Sequence, residues 1–170
     1  MNLYFRLIWL LIRLPFMGKL KDPLSDSHLF MRVWPFDLDL NFHVNNGRYL
    51  TMMDLGRIHL TGLNGMLWFC LKRRWMPVIG SAKIHFLKPL NCFNVFKLTT
   101  KVVYWDEKWF YIEQSFYRND ELYVTALVKG LFTSRQGKIA PDQIISALNL
   151  DVTKPQMPES IARWIQCEKG

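Results

Sequence analysis

Three regimes of apolar and polar spacing divide the chain. Residues 1–16, "MNLYFRLIWLLIRLPF", are mostly apolar, with Arg6 and Arg13 breaking the run. On a helix, Asn2, Arg6 and Arg13 share one narrow stripe, because spacings of four and seven return to nearly the same angle; Leu, Ile, Trp, Tyr and Phe occupy the rest. The longest uncharged stretch, residues 7–12, is far below the roughly 20 apolar residues that span a bilayer. The pattern predicts an amphipathic N-terminal helix that lies at a membrane interface or docks on the domain or a partner subunit.

After a linker-like "GKLKDPLSDS", residues 28–36 have the β-branched and aromatic content of a strand ending near Pro35. Asn45 or Asn46 can cap a helix, which Tyr49, Leu50, Met53 and Arg57 continue until "TGLNG" interrupts it; a second helical piece runs to "LKRRW". From Pro77 the period becomes two. Val78, Gly80, Ala82, Ile84 and Phe86 share a face, and Phe96, Leu98, Thr100, Val102 and Tyr104 share another, opposite Lys97, Thr99 and Lys101. Segments 108–118 and 122–134 follow, joined by "NDE" as a hairpin turn. Pro141 and Pro158 open two short terminal helices.

This order of strand, helix and four strands predicts an α+β domain in which a curved antiparallel sheet wraps a central helix. The expected divisions are an amphipathic segment, 1–21, a main domain, 22–140, and a helical extension, 141–170. Strands and aromatic residues beyond one core's needs predict a homodimer or higher homo-oligomer.

Composition narrows the function. Half of the 170 residues are hydrophobic and 21% are charged, which excludes disorder. The net charge of +8 suits an anionic partner such as nucleic acid, a membrane surface or a phosphorylated cofactor. The signature of a nucleic-acid module is absent, so no nucleic acid is expected. Arg6, Arg13, Lys19 and Lys21 could meet lipid headgroups. Cys70, Cys92 and Cys167 lack CxxC spacing and predict free thiols rather than disulfides or a zinc site. No Asn-x-Ser/Thr acceptor occurs, and charges inside the apolar stretch disfavour a signal peptide. These features predict a cytoplasmic protein with peripheral membrane contact through residues 1–17, and neither cofactor nor metal.

Candidate chemistry concentrates in "DLDLNFHVNNGRY", residues 37–49. In extended geometry Asp37 and Asp39 point one way and Leu38 and Leu40 the other. The amides near Asn45 to Arg48, at the start of the helix, are expected unpaired donors carrying about half a positive charge, suited to a developing oxyanion. A carboxylate beside such a site can attack an activated acyl carbon or deprotonate water. Turn-making and capping are the ordinary work of Asp39, Asn41 and Asn45, so the combination carries the argument rather than any single residue.

The stretch "DLDLNFHVNNGRYLTMMDLGR", with "WDEKWFYIEQ" and "ALVKGLF" downstream, resembles the hotdog-fold thioesterases of the 4-hydroxybenzoyl-CoA thioesterase type, in particular the branch called thioesterase superfamily member 6. The resemblance runs over about residues 30–132. It implies a hotdog fold, subunits paired through their sheets, and cleavage of an acyl-CoA or acyl-carrier thioester at the dimer interface without metal. Asp39 matches the family's nucleophile or base, His43, Asn45 and Asn46 its H-V-N-N stretch, and Tyr49 the aromatic that follows. Many members have glycine before the histidine; here Phe42 adds bulk where a thioester could pass.

Several residues compete for roles. Asp54 on the central helix is a rival acid, but Arg57 at i+3 offers a surface pair. His43 could orient substrate or hold the loop; His59 and His85 lack partners at metal spacing, and Glu113 reads as an edge or interface charge. Lys72, Arg73 and Arg74 could bind CoA phosphates or form a solvated helix end. The reading is an acyl-CoA thioesterase-like hydrolase; the alternative is a non-catalytic acyl- or lipid-binding hotdog module at a membrane surface.

Overall fold

The computed structural model describes residues 2–20 and 22–169, without the side chains of Asn2 and Lys169; Lys21 and the Asn2 side chain therefore lie outside the described set. The N-terminal run forms α1 (Asn2–Arg13), closed by a 3-10 turn at Leu14–Phe16. Strand β1 (Ser27–Arg32) stops short of the expected Pro35, because the chain turns in a 3-10 turn at Pro35–Asp37. The central helix α2 (Asn46–Leu63) and the shorter α3 (Met66–Arg73) are separated at Asn64 and Gly65, within the "TGLNG" break. Strands β2 (Met76–Phe86), β3 (Val95–Trp105), β4 (Phe110–Arg118), β5 (Glu121–Ser134) and β6 (Gly137–Ile139) follow, then α4 (Pro141–Ala147) and α5 (Glu159–Lys169). The three-residue β6 is too short for alternation to reveal it.

The sheet is antiparallel in the order β1-β3-β4-β5-β2, with β6 on β5. Asn119 and Asp120 turn the β4–β5 hairpin at φ 50° and 60°, values that Asn and Asp tolerate better than most residues. The unbroken alternation expected of β2 and β3 fails at register shifts between Ile79 and Ser81 and between Val102 and Tyr104. Each shift is a bulge that exchanges the faces of the residues beyond it.

Helix α2 is covered on two sides, which explains why its apolar residues are not confined to a single stripe. Tyr49, Met52 and Met53 pack into the sheet against Phe96, Leu98, Phe116 and Val124. At Gly56 the helix comes so close to the sheet that a Cβ would lie 2.6 Å from Thr100 Oγ1. Leu55 and Leu63 instead meet Leu10 of α1 and Leu14 of the 3-10 turn that follows it. Burying each of Leu10 and Leu14 contributes about 2 kcal/mol. At the other end, Ile161 and Trp164 of α5 pack on Tyr104 and Tyr111.

Candidate functional site

Beyond β1 the chain stays tied to the start of β3: Val33 N–H donates to Asn94 O and Phe93 N–H to Val33 O, both at 2.9 Å. The turn that follows is made by Asp37. Its Oδ2 accepts from Trp34 N–H at 2.9 Å and from Arg6 Nη2 at 2.6 Å, while Arg6 also donates to Arg32 O at 2.9 Å. Asp37 is 1% exposed, so the guanidinium of α1 compensates a carboxylate that would otherwise be costly to bury. This corrects two expectations. Arg6 serves an internal ion pair rather than a lipid headgroup, and the two aspartates do not share an extended face. Leu38 likewise packs on the core whereas Leu40 is 97% exposed.

Asp39 has the opposite environment. Its N–H donates to His43 O at 2.8 Å, its carbonyl accepts from Phe42 N–H at 3.1 Å, and its Oδ1 accepts from Asn41 N–H at 2.8 Å. The turn sets Phe42 at φ 59°, a left-handed backbone that glycine adopts freely and phenylalanine at a cost of about 1 kcal/mol. Glycine at this position thus has a backbone reason. The Phe42 ring is 78% exposed and is not part of the adjoining cavity wall.

That cavity holds about 310 Å³ and is open to solvent. Asp39, Asn41, His43, Asn46 and Tyr49 form one side, and residues 86–89 form the other. Helix α2 begins at its edge. Asn45 is the cap, its Oδ1 accepting from Gly47 N–H at 2.9 Å and its carbonyl from Arg48 N–H at 2.8 Å, while its own N–H donates to Asp37 O at 2.9 Å. Three of the four amides expected to be free are therefore taken, since capping and the loop satisfy them. Asn46 N–H is the member of that set for which no acceptor is found among the described residues.

Tyr49 closes the base of the cavity. It is 2% exposed, its ring meets Phe86 and Phe116 edge-on at 5.3 and 5.2 Å, and its hydroxyl accepts from Leu90 N–H at 3.3 Å. Burial pushes the phenol above its ordinary pKa, so it stays neutral and its O–H remains a donor. His43 is half-buried at the wall, its backbone bridged to Asn91.

The other candidates lie elsewhere. Arg73 lays its guanidinium over Phe69 at 4.0 Å, and Arg74 ends α3 with φ 58°; neither lines the cavity within one chain. Asp54 pairs with Arg57, whose Nη1 donates to the buried Gln114 Oε1 at 2.5 Å. Gln114 in turn donates to Met53 O and Thr100 Oγ1, which makes this group a support between α2 and the sheet. Glu113 pairs with Lys101 across neighbouring strands. Among the described residues no cluster of His, Cys, Asp and Glu could hold a metal ion, and the three cysteines are free.

Sequence reasoning missed the Arg6–Asp37 pair and the wall at Phe86–Pro89, which includes Lys88. Both depend on contacts between distant segments; the sole local hint was an arginine inside an apolar helix.

Known proteins share this architecture. The profile of the thioesterase-like superfamily matches residues 33–165. Protein THEM6 of Xenopus laevis is 30% identical over 86% of this chain and 70% of its own length. A probable thioesterase from Bartonella henselae superposes with a TM-score of 0.61 at 21% identity, over 68% of this chain and 98% of its own. A hypothetical protein of Staphylococcus aureus, solved in complex with CoA, gives 0.63 at 16% identity, over 85% of this chain and 94% of its own. The fold is that of the hotdog thioesterases, an α+β sheet curled around a helix, with an additional N-terminal helix. A match that takes in the Asp39 loop, the central helix, every strand of the sheet after β1 and most of α5 places this chain in the thioesterase-like superfamily.

Proposed function

We propose that the protein hydrolyses an acyl thioester in the cavity at the start of α2. The observation that carries this reading is a carboxylate, Asp39, and an uncommitted helix amide, Asn46 N–H, at one open cavity. Asp39 takes a proton from water as the oxygen adds to the thioester carbonyl, or adds to that carbon itself and is released by water. The carbonyl oxygen gains charge toward Asn46 N–H and the positive end of the α2 dipole. Collapse breaks the carbon–sulfur bond, leaving a carboxylic acid and a thiol. Asn41 N–H on Oδ1 holds the carboxylate in place, His43 and Tyr49 shape the reacting pocket, and Asn45 caps the helix that presents the amide. The scheme calls on no metal.

The substrate we favour is an acyl-CoA, acted on by a homodimer. β2 is an edge strand of 11 residues with exposed Met76, Val78 and Ile79, and long apolar edges invite pairing with another chain. In an antiparallel pairing of β2 with its copy, the start of one strand meets the end of the other. The partner subunit's Arg73 and Arg74 then approach the Phe86–Pro89 wall, where guanidiniums can bind CoA phosphates. Phe42 stands at the solvent side of the same loop, available to the pantetheine or acyl portion. Among the described residues no helix is long and apolar enough to cross a membrane. We place the dimer in the cytoplasm, with α1 making peripheral contact with a membrane, because Tyr4, Phe5, Ile8, Trp9 and Ile12 are exposed along its outer side.

The test is thiol release from short, medium, long and aromatic acyl-CoAs, for the parent and Asp39→Asn. Turnover that requires Asp39 supports the hydrolase. A folded dimer that binds acyl-CoA without turnover would overturn it in favour of a binding module.

A further inference from the structure

A second cavity, about 180 Å³, lies between α1 and β1. Trp9, Arg13, Phe30, Arg32 and Trp34 are among the side chains around it. Arg6 also reaches it but is already committed to Asp37 and Arg32 O. Arg13 and Arg32 are both exposed, and no carboxylate partner for either is found among the described residues. Two guanidiniums without counter-ions therefore border an apolar cleft.

The surroundings of the cleft point to its occupant. Trp9 and Phe30 are 62% and 68% exposed, and Trp34 stacks on Phe36 at 6.4 Å and meets Phe93 edge-on at 6.2 Å. The aromatic surface thus runs from α1 across β1 to the loop that leads to Asp39. Tryptophan and arginine together suit a lipid–water boundary, where the ring enters the acyl edge while the guanidinium binds phosphate.

We propose that this α1–β1 face binds a bilayer containing anionic phospholipid, with one headgroup phosphate seated between Arg13 and Arg32 and the flanking aromatic residues in the interface. The inference rests on the peripheral-membrane reading above and adds to it a discrete headgroup site on both α1 and β1. It also has a consequence for the cavity at Asp39. Trp34 donates to the Asp37 carboxylate, and Asp37 O accepts from Asn45 N–H at the head of α2, so the lipid face and the reaction cavity share one loop.

Vesicle binding by the full chain tests this independently of turnover. The parent should bind phosphatidylcholine vesicles containing phosphatidylserine far better than phosphatidylcholine alone, and less well as salt rises. Arg13→Gln with Arg32→Gln should weaken binding about 30-fold, since each cation near the surface is worth about fivefold. Arg135→Gln with Lys138→Gln removes the same charge from exposed positions at the β5–β6 turn, and should leave binding nearly unchanged. Equal losses from both pairs would overturn the headgroup site in favour of diffuse attraction, and no loss from the first pair would also overturn it. A parent that ignores every vesicle would remove the membrane reading itself while leaving the thioesterase reading intact. All four substituted side chains are exposed, so circular dichroism should show the parent's fold.

Discussion

Two residues apart in sequence, Asp37 and Asp39 occupy opposite kinds of surroundings. Asp37 is closed off, bonded to Arg6 of α1 and to Trp34 N–H. Asp39 faces an open cavity, with one hydrogen bond from Asn41 N–H to its carboxylate. The closed side continues along α2 through Leu55 and His59 beneath α1, whereas the open side consists of the helix start and the Phe86–Pro89 wall. One motif therefore places one acid inside the loop that it holds and the other at the wall of an open cavity. Burial with an ion pair makes a carboxylate structural; partial exposure beside an uncommitted amide leaves it available to react.

The sharpest way to break this division is to neutralise each acid. Asp39→Asn should lower turnover on a responsive acyl-CoA by about 10²- to 10⁴-fold. Its melting temperature should hardly move, because the asparagine oxygen can still accept from Asn41 N–H. A large stability loss with turnover retained would reverse the assignment of the two aspartates.

On the closed side, Arg6→Met should cost about 3 kcal/mol in denaturant unfolding, since it takes the Arg6 guanidinium away from the buried Asp37 carboxylate. Adding Asp37→Asn should recover part of that loss, because the buried group then carries no charge. Additive losses in the double variant would show that the pair does not act as a unit.

His59 supplies a smaller test of the same side. It is 4% exposed, its Nδ1 has no hydrogen-bond partner among the described residues, and burial, with His28 and Arg13 nearby, holds its pKa below the usual value of 6.5. The unfolded chain therefore binds the proton more readily than the folded one. Stability from this group is complete above about pH 6.5 and falls as the pH drops toward the depressed folded value, by at most about 1.4 kcal/mol per pH unit. His59→Phe should flatten the acid side of the stability curve, read as melting temperature against pH. An unchanged slope would show that His59 stays equally protonated in both states.

The smallest expected effect belongs to the turn on the open side. Phe42→Gly should relieve the left-handed backbone and raise stability by up to about 1 kcal/mol, a shift of roughly 2–4 °C in melting temperature. Steady-state kinetics on the same variant would show whether the ring restricts acyl length. A drop in stability would mean that the ring's contacts outweigh the backbone strain.

Much of this was legible along the chain because it depends on local chemistry. The Asn45 cap, the break at "TGLNG", the Asn119–Asp120 turn and the helix starts at Pro141 and Pro158 follow from dihedral preference and hydrogen bonding within a few residues. The period-two runs also emerged as strands. Their bulges did not, since an extra residue is defined by the strand opposite.

The sequence by itself determined which of the longer elements form, that Asp39 and the head of α2 adjoin, and that the N-terminal helix is apolar around most of its surface. Only the tertiary structure decided that Arg6 turns inward to Asp37, that three helix-start amides are already satisfied, and that residues 86–89 complete the cavity. Local preferences act over a few bonds, whereas burial and ion pairing depend on which distant segments the fold brings into contact.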